Sequence, residues 1–147
     1  MDPALFRSTL RGNLIELGSN KPANLDDLVM AWDTPTRDHA IVLTTDRKRP
    51  GDPRELLFPN GSTLRLRAAF SKEKKEWKLR EYSFHFVPSD GKPWFRYDLD
   101  PDRAQRMCHP LAHLHVGEDD PRFPTGERDL LELLRFLDEQ GLLGGKE

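Results

Sequence analysis

Hydrophobic positions recur at two different periods along this chain, and the change of period divides it. From Asp2 onward, Leu5, Phe6, Leu10, Leu14 and Leu17 fall at helical spacing. Asp2 followed by Pro3 supplies an N-cap and a first-turn proline, so the helix is expected to start there. Gly12 weakens its interior and Gly18 is expected to stop it. Asn24 reads as a second N-cap, with Leu25, Leu28, Val29 and Trp32 at helical spacing behind it and Pro35 closing the segment. Residues 40–45 (AIVLTT) predict a short buried strand. The segment 46–54 (DRKRPGDPR) holds two prolines and a glycine among charges, and is expected to be a mobile loop.

After residue 55 the period falls to two. Asn60-Gly61 between LLFP and STLRLRAAF predicts a hairpin, because Asn-Gly accepts the positive φ angles of a type I′ turn. Leu64, Leu66, Ala68 and Phe70 share one face of the following strand, and Arg65 and Arg67 share the other. Residues 71–75 (SKEKK) predict the next turn, residues 76–87 a long strand, and Ser89-Asp90-Gly91 a turn into a strand over 94–99 that pairs with it antiparallel. Trp77 and Leu79 alternate in one phase, and Tyr82, Phe84 and Phe86 in the other, which predicts a bulge near Arg80. Residues 111–116 (LAHLHV) alternate again. The acidic stretch 117–124, with Pro121 and Pro124, is expected to be loop. Leu130, Leu133, Leu134 and Leu137, widened by Leu131 and Phe136, then mark the clearest helix, with Gly141 beyond its end. The prediction is an α+β fold: an antiparallel sheet of about five strands with N-terminal and C-terminal helices packed on one face. Within a single domain over 1–147, residues 1–46 form the helical N-terminal part, 55–116 the sheet and 126–140 the closing helix.

Composition adds limits. The chain has 147 residues and a net charge of −2, with 36% hydrophobic and 33% charged residues. That length is enough for one real core. No apolar run approaches the ~18 residues of a membrane span. The start, MDPALFRST, lacks the basic and apolar regions of a secretory signal, so no leader is expected. One cysteine, Cys108, excludes a disulfide framework within the chain, and the expected compartment is the cytoplasm. Charge is distributed as a dipole: residues 47–81 carry +6 and residues 98–147 carry −6. A basic strip joined to an acidic end fits either self-neutralising surface charge or a face that meets phosphate or an acidic partner.

Alternation also sorts the polar residues. Phe95, Tyr97 and Leu99 point one way, and Trp94, Arg96 and Asp98 the other. Ala112, Leu114 and Val116 are expected on the core, and His113 and His115 away from it. The expected polar face therefore holds Arg65, Arg67, Glu81, His85, Arg96, Asp98, His113 and His115, which include three of the five histidines. Imidazoles exchange protons near neutral pH, and guanidiniums grip phosphate with a planar fork. Cutting an RNA backbone takes a base, an acid and cations on the phosphate, and this face offers all three without a metal. A plain solvated sheet face is the bland alternative.

A metal site is the rival for the same residues. His109, His113 and His115, with Asp98 nearby, offer nitrogen and oxygen ligands suited to zinc or manganese. Other features carry less. Cys108 reads as an ordinary thiol, Ser83 with His85 as same-face neighbours without a strained elbow, and Trp77 and Trp94 as packing rather than base-stacking platforms.

The block FRYDLDPDRAQRMCHPLAHLHVGEDDPRFPTGERDLLELLRFLDEQ, residues 95–140, covers about one third of the chain. Its R-Y-D strand end, H-P-x-x-H-x-H histidines and Leu-rich closing helix resemble small uncharacterised bacterial proteins. The layout is similar to the TumE-type toxins of toxin–antitoxin pairs. Residues 1–60 depart from that pattern. The resemblance implies an antitoxin partner, an activity on RNA or translation, and interest in Arg96, Tyr97, Asp98, His113 and His115.

These readings combine into one expectation: a small cytoplasmic toxin-like or defence-associated domain acting on RNA through a His/Arg-lined sheet face without a cofactor, its chemistry, if it is an enzyme, ribonuclease-like and metal-independent. His113 and His115 share acid and base roles, and Asp98 orients one of them. Arg65, Arg67, Arg96, His85 and Tyr97 bind the substrate. The alternative is a non-catalytic interaction subunit of a larger bacterial defence complex.

Overall fold

The computed structural model describes residues 2–32, 41–45, 54–100, 112–117, 123–126 and 128–144. Most of the expected loop at 46–54 lies outside these residues, as do Cys108 and His109.

Asp2 caps the first helix as its sequence predicts. The carboxylate accepts from the amides of Ala4 (2.7 Å) and Leu5 (3.4 Å). Helix α1 (Pro3–Ile15) buries Pro3, Phe6, Leu10 and Leu14. Leu5 is exposed, because the i, i+4, i+8 row from Phe6 sets the buried face. At the other end, the Asp129 side chain accepts from the Leu131 amide and opens helix α2 (Leu130–Glu139). Helix α2 buries Leu130, Leu133, Leu134 and Leu137, while Phe136 stays exposed. Gly141 follows with φ +71°, the left-handed residue that ends many helices.

The second expected helix is a correction. Only Leu25–Asp27 forms a single 3₁₀ turn, and the chain then runs as strand β1 (Val29–Trp32) beside β2 (Ile41–Thr44). Asn24 does not cap. Its side chain donates to Glu55 O (2.9 Å) and accepts from the Leu57 amide (2.7 Å), binding the edge of β3 (Leu56–Leu57) instead. Leu28 is fully buried at the turn into β1. A ladder with β2 has overridden a four-residue helical period.

The remaining strands are β4 (Thr63–Glu73), β5 (Glu76–Val87), β6 (Phe95–Leu99), β7 (Ala112–Val116) and β8 (Phe123–Pro124). The sheet runs β1-β2-β4-β5-β6-β7-β8, with β3 also paired to β4, and every pairing is antiparallel. Among the described residues the expected five strands become eight: β1 replaces a helix, and β3 and β8 contribute two residues each. Phe123 and Pro124 therefore leave the expected acidic loop and pair with Leu114 and His113.

Two turns also differ from expectation. At Asn60-Gly61 the Gly61 amide donates to Phe58 O (2.9 Å), and positive φ falls on Gly61 alone. This is a three-residue turn ending in a left-handed glycine, rather than type I′. The type I′ pattern of two successive positive φ angles occurs instead at Lys74 (47°) and Lys75 (69°), between β4 and β5. The bulge falls where the phase change predicts. Ala69 faces Glu81 and Phe70 faces Leu79, leaving Arg80 as the extra residue.

Both helices lie against the same side of the sheet. Phe6, Leu10 and Leu14 of α1 and the four leucines of α2 join Leu64, Leu66, Ala68, Phe70, Tyr82, Phe84 and Phe86 in one core, with the Phe6 and Phe70 rings 5.4 Å apart. The α+β architecture with helices on one face is thus present. The opposite face of the sheet carries the polar residues. Among the described residues, no helix is long and apolar enough to cross a membrane.

Candidate functional site

Strand register assembles the polar face in two cross-strand rows. Arg65, His85, Arg96 and His115 are successive partners across β4, β5, β6 and β7. Arg67, Ser83, Asp98 and His113 form the adjacent row. Same-face partners in neighbouring strands have Cβ atoms ~4.5–5.5 Å apart, so each row is a continuous line of polar side chains. All the residues expected on this face reach it, including Glu81, which lies opposite Ala69.

A cavity of about 360 Å³ opens on this face. It is lined by Arg65, Arg67, Glu81, His85, Arg96, Asp98 and Asp100 among others. The arginines meet counter-charges within the site. Arg67 Nη1 lies 3.0 Å from Glu81 Oε2, and Arg96 Nε lies 2.8 Å from Asp98 Oδ2. His85 packs edge-on against Trp94, with ring centres 4.9 Å apart. Trp77 sits beneath the Lys72 ammonium at 5.7 Å. Both tryptophans have protein partners, in keeping with the packing role expected of them.

Beside the cavity, Asp98 joins β6 to β7. His115 Nε2 is 3.2 Å and His113 Nε2 is 3.6 Å from Asp98 Oδ2, and the two imidazole centres are 4.8 Å apart at nearly a right angle. The three side chains therefore converge.

Their exposure corrects the sequence picture. His113 and His115, expected to face water, are 4% and 1% exposed, whereas Val116, expected in the core, is 45% exposed. Alternation assigned the faces correctly, but a face does not determine how much water reaches it. Val42 and Thr44 are buried on the same polar side of the sheet, so that side is not an open plane. Tyr97 is a second correction. It points to the apolar side between Phe84 and Leu114, edge-on to Phe95 at 5.7 Å, with the Arg128 guanidinium over its ring. It is separated from the site by the sheet.

One site residue escaped the sequence reading. Asp100 lines the cavity beside Asp98. The signal was available, since Asp98 and Asp100 are two positions apart and a strand continued through Leu99 puts both on one side. No protein-family model matches this chain, and no curated protein or solved structure matches it either.

Proposed function

We propose that this chain acts on RNA through the polar face, as a small toxin-like or defence-associated domain of the cytoplasm that an antitoxin-like partner restrains. The observation that supports the reading is convergence. Three arginines and a histidine line one cavity, and Asp98, which also lines it, contacts a histidine pair. A cavity of about 360 Å³ lies within the range of small-ligand sites and suits one nucleotide unit rather than a duplex. Arg65, Arg67 and Arg96 hold phosphate oxygens in this reading, and His85 is the imidazole that lines the cavity. His113 and His115 act from behind Asp98, since rings 4% and 1% exposed do not touch a polymer directly.

The test is incubation of single-stranded RNA with wild type, with Arg65→Ala/Arg67→Ala and with Asp98→Asn, after circular dichroism has shown that each variant folds. Cleavage by wild type that falls at least tenfold in both variants supports the reading. Wild type that neither cleaves nor retains RNA ends it.

A second reading, a non-catalytic interaction subunit, draws support from the ion pairs Arg67–Glu81 and Arg96–Asp98, which offset much of the positive charge of the cavity. A stable protein partner recovered with no RNA turnover favours it.

A further inference from the structure

We propose that Asp98, His113 and His115 form a three-ligand site for a divalent transition metal of the zinc class. The chemical role of the metal rests on the RNA reading, but its binding does not. The argument starts from atom types. One nitrogen from each of two imidazoles and one carboxylate oxygen come together, all within 4.8 Å of one another. Nitrogen donors with a single oxygen suit zinc and its neighbours, whereas magnesium and calcium take oxygen shells.

The two separations from the carboxylate are those of ligands around an ion. Bonds of ~2.0–2.1 Å in tetrahedral geometry place neighbouring donor atoms ~3.3–3.4 Å apart. The Asp98 Oδ2 distances, 3.2 Å to His115 and 3.6 Å to His113, bracket that edge.

Position in the fold fits as well. The donors come from adjacent antiparallel strands, with Asp98 and His113 as register partners and His115 two residues along the same strand face. Such a frame fixes the donors before any ion arrives. Burial of both imidazoles keeps water from competing for the nitrogens, while Asp98 also lines the cavity. Arg96 Nε, 2.8 Å from the same carboxylate oxygen, then takes the role of an outer partner that orients the ligand. Three protein ligands leave one tetrahedral position open, and Asp98, which also lines the cavity, is the ligand nearest to solvent.

The test uses the full-length protein, stripped with EDTA and desalted, with Zn²⁺ titrated by calorimetry and Co²⁺ followed by visible absorption. One equivalent of Zn²⁺ is expected, together with a tetrahedral Co²⁺ spectrum. Both are expected to weaken at least tenfold in Asp98→Asn and in His115→Gln, and to be unchanged in Arg11→Gln, on helix α1 across the sheet from the site. Circular dichroism checks that each variant folds. If one ligand variant fails to fold, the other carries the comparison, and the wild-type Co²⁺ spectrum reports nitrogen–oxygen coordination without either. No uptake by wild type, or uptake unchanged in the folded ligand variants, overturns the proposal. RNA cleavage is measured on the same samples, so a zinc-loaded protein that leaves RNA intact sinks the RNA reading and leaves the metal site standing.

Discussion

His115 Nε2 stands 3.2 Å from the Asp98 carboxylate oxygen that Arg96 Nε also meets at 2.8 Å. One oxygen therefore links a cavity-lining arginine to a fully buried imidazole. Asp98 is 13% and Arg96 24% exposed at the side chain, so the pair is only partly screened by solvent. Asp98→Ala removes the carboxylate shared by three side chains and is expected to cost about 1–3 kcal/mol. Urea denaturation in EDTA measures this. An unchanged midpoint would show that the network contributes nothing to folding.

Arg65 tests the phosphate reading separately. It is exposed, faces the cavity and lies opposite His85 in the register. Each phosphate contact with a single strand contributes a slope of ~−0.7 to the dependence of log K on log salt. Arg65→Ala is expected to make the slope for a short single-stranded RNA shallower by about 0.7, with stability changed by no more than about 0.5 kcal/mol. Fluorescence anisotropy at several salt concentrations reads the slope. An unaltered slope removes Arg65 from the phosphate contacts.

Much of this site was legible because strand side chains alternate with a fixed period. Arg96 and Asp98 had to share a face, and so did His113 and His115, whatever the partner strands. Register was not legible, and register is what places Asp98 against His113. Burial was not legible either, since it depends on what lies over the polar side, and the imidazoles prove inaccessible. The segment from Asn24 shows the converse failure. Leu25, Leu28, Val29 and Trp32 match a helical period, but the Asn24 amide bonds to Glu55 and Leu57, 31 and 33 residues away. Four apolar positions are too few to separate helix from strand, and the partner that decides between them is distant in sequence.

The bulge at Arg80 was legible from phase alone, and it yields a sharp contrast. Arg80 Nε donates to Ser71 Oγ at 2.7 Å, an exposed contact whose loss in Arg80→Ala is expected to cost no more than about 1 kcal/mol. Deleting Arg80 removes the extra residue that lets Leu79 and Tyr82 both face the apolar side. Either Trp77 and Leu79 or Tyr82, Phe84 and Phe86 must then turn toward the polar side. The deletion is expected to destabilise by more than about 4 kcal/mol or abolish folding, as judged by thermal melting. Similar melting of the deletion and the alanine variant would refute the assigned phase shift.

Lys74 and Lys75 adopt φ angles of 47° and 69° at the tip of the β4–β5 hairpin. Successive left-handed residues suit Asn-Gly, because asparagine tolerates this region and glycine has no Cβ to clash. Lysine at each position carries a steric cost that the hairpin imposes. Lys74→Asn/Lys75→Gly is therefore expected to stabilise the protein by about 0.5–1 kcal/mol, even though glycine raises the entropy of the unfolded chain. The tip is exposed at both lysines and Glu76, so no core contact is lost in the exchange. The melting temperature is expected to rise with Zn²⁺ uptake unchanged, because Asp98, His113 and His115 lie on β6 and β7. A lower melting temperature would mean that the two lysines do not occupy a type I′ turn in solution.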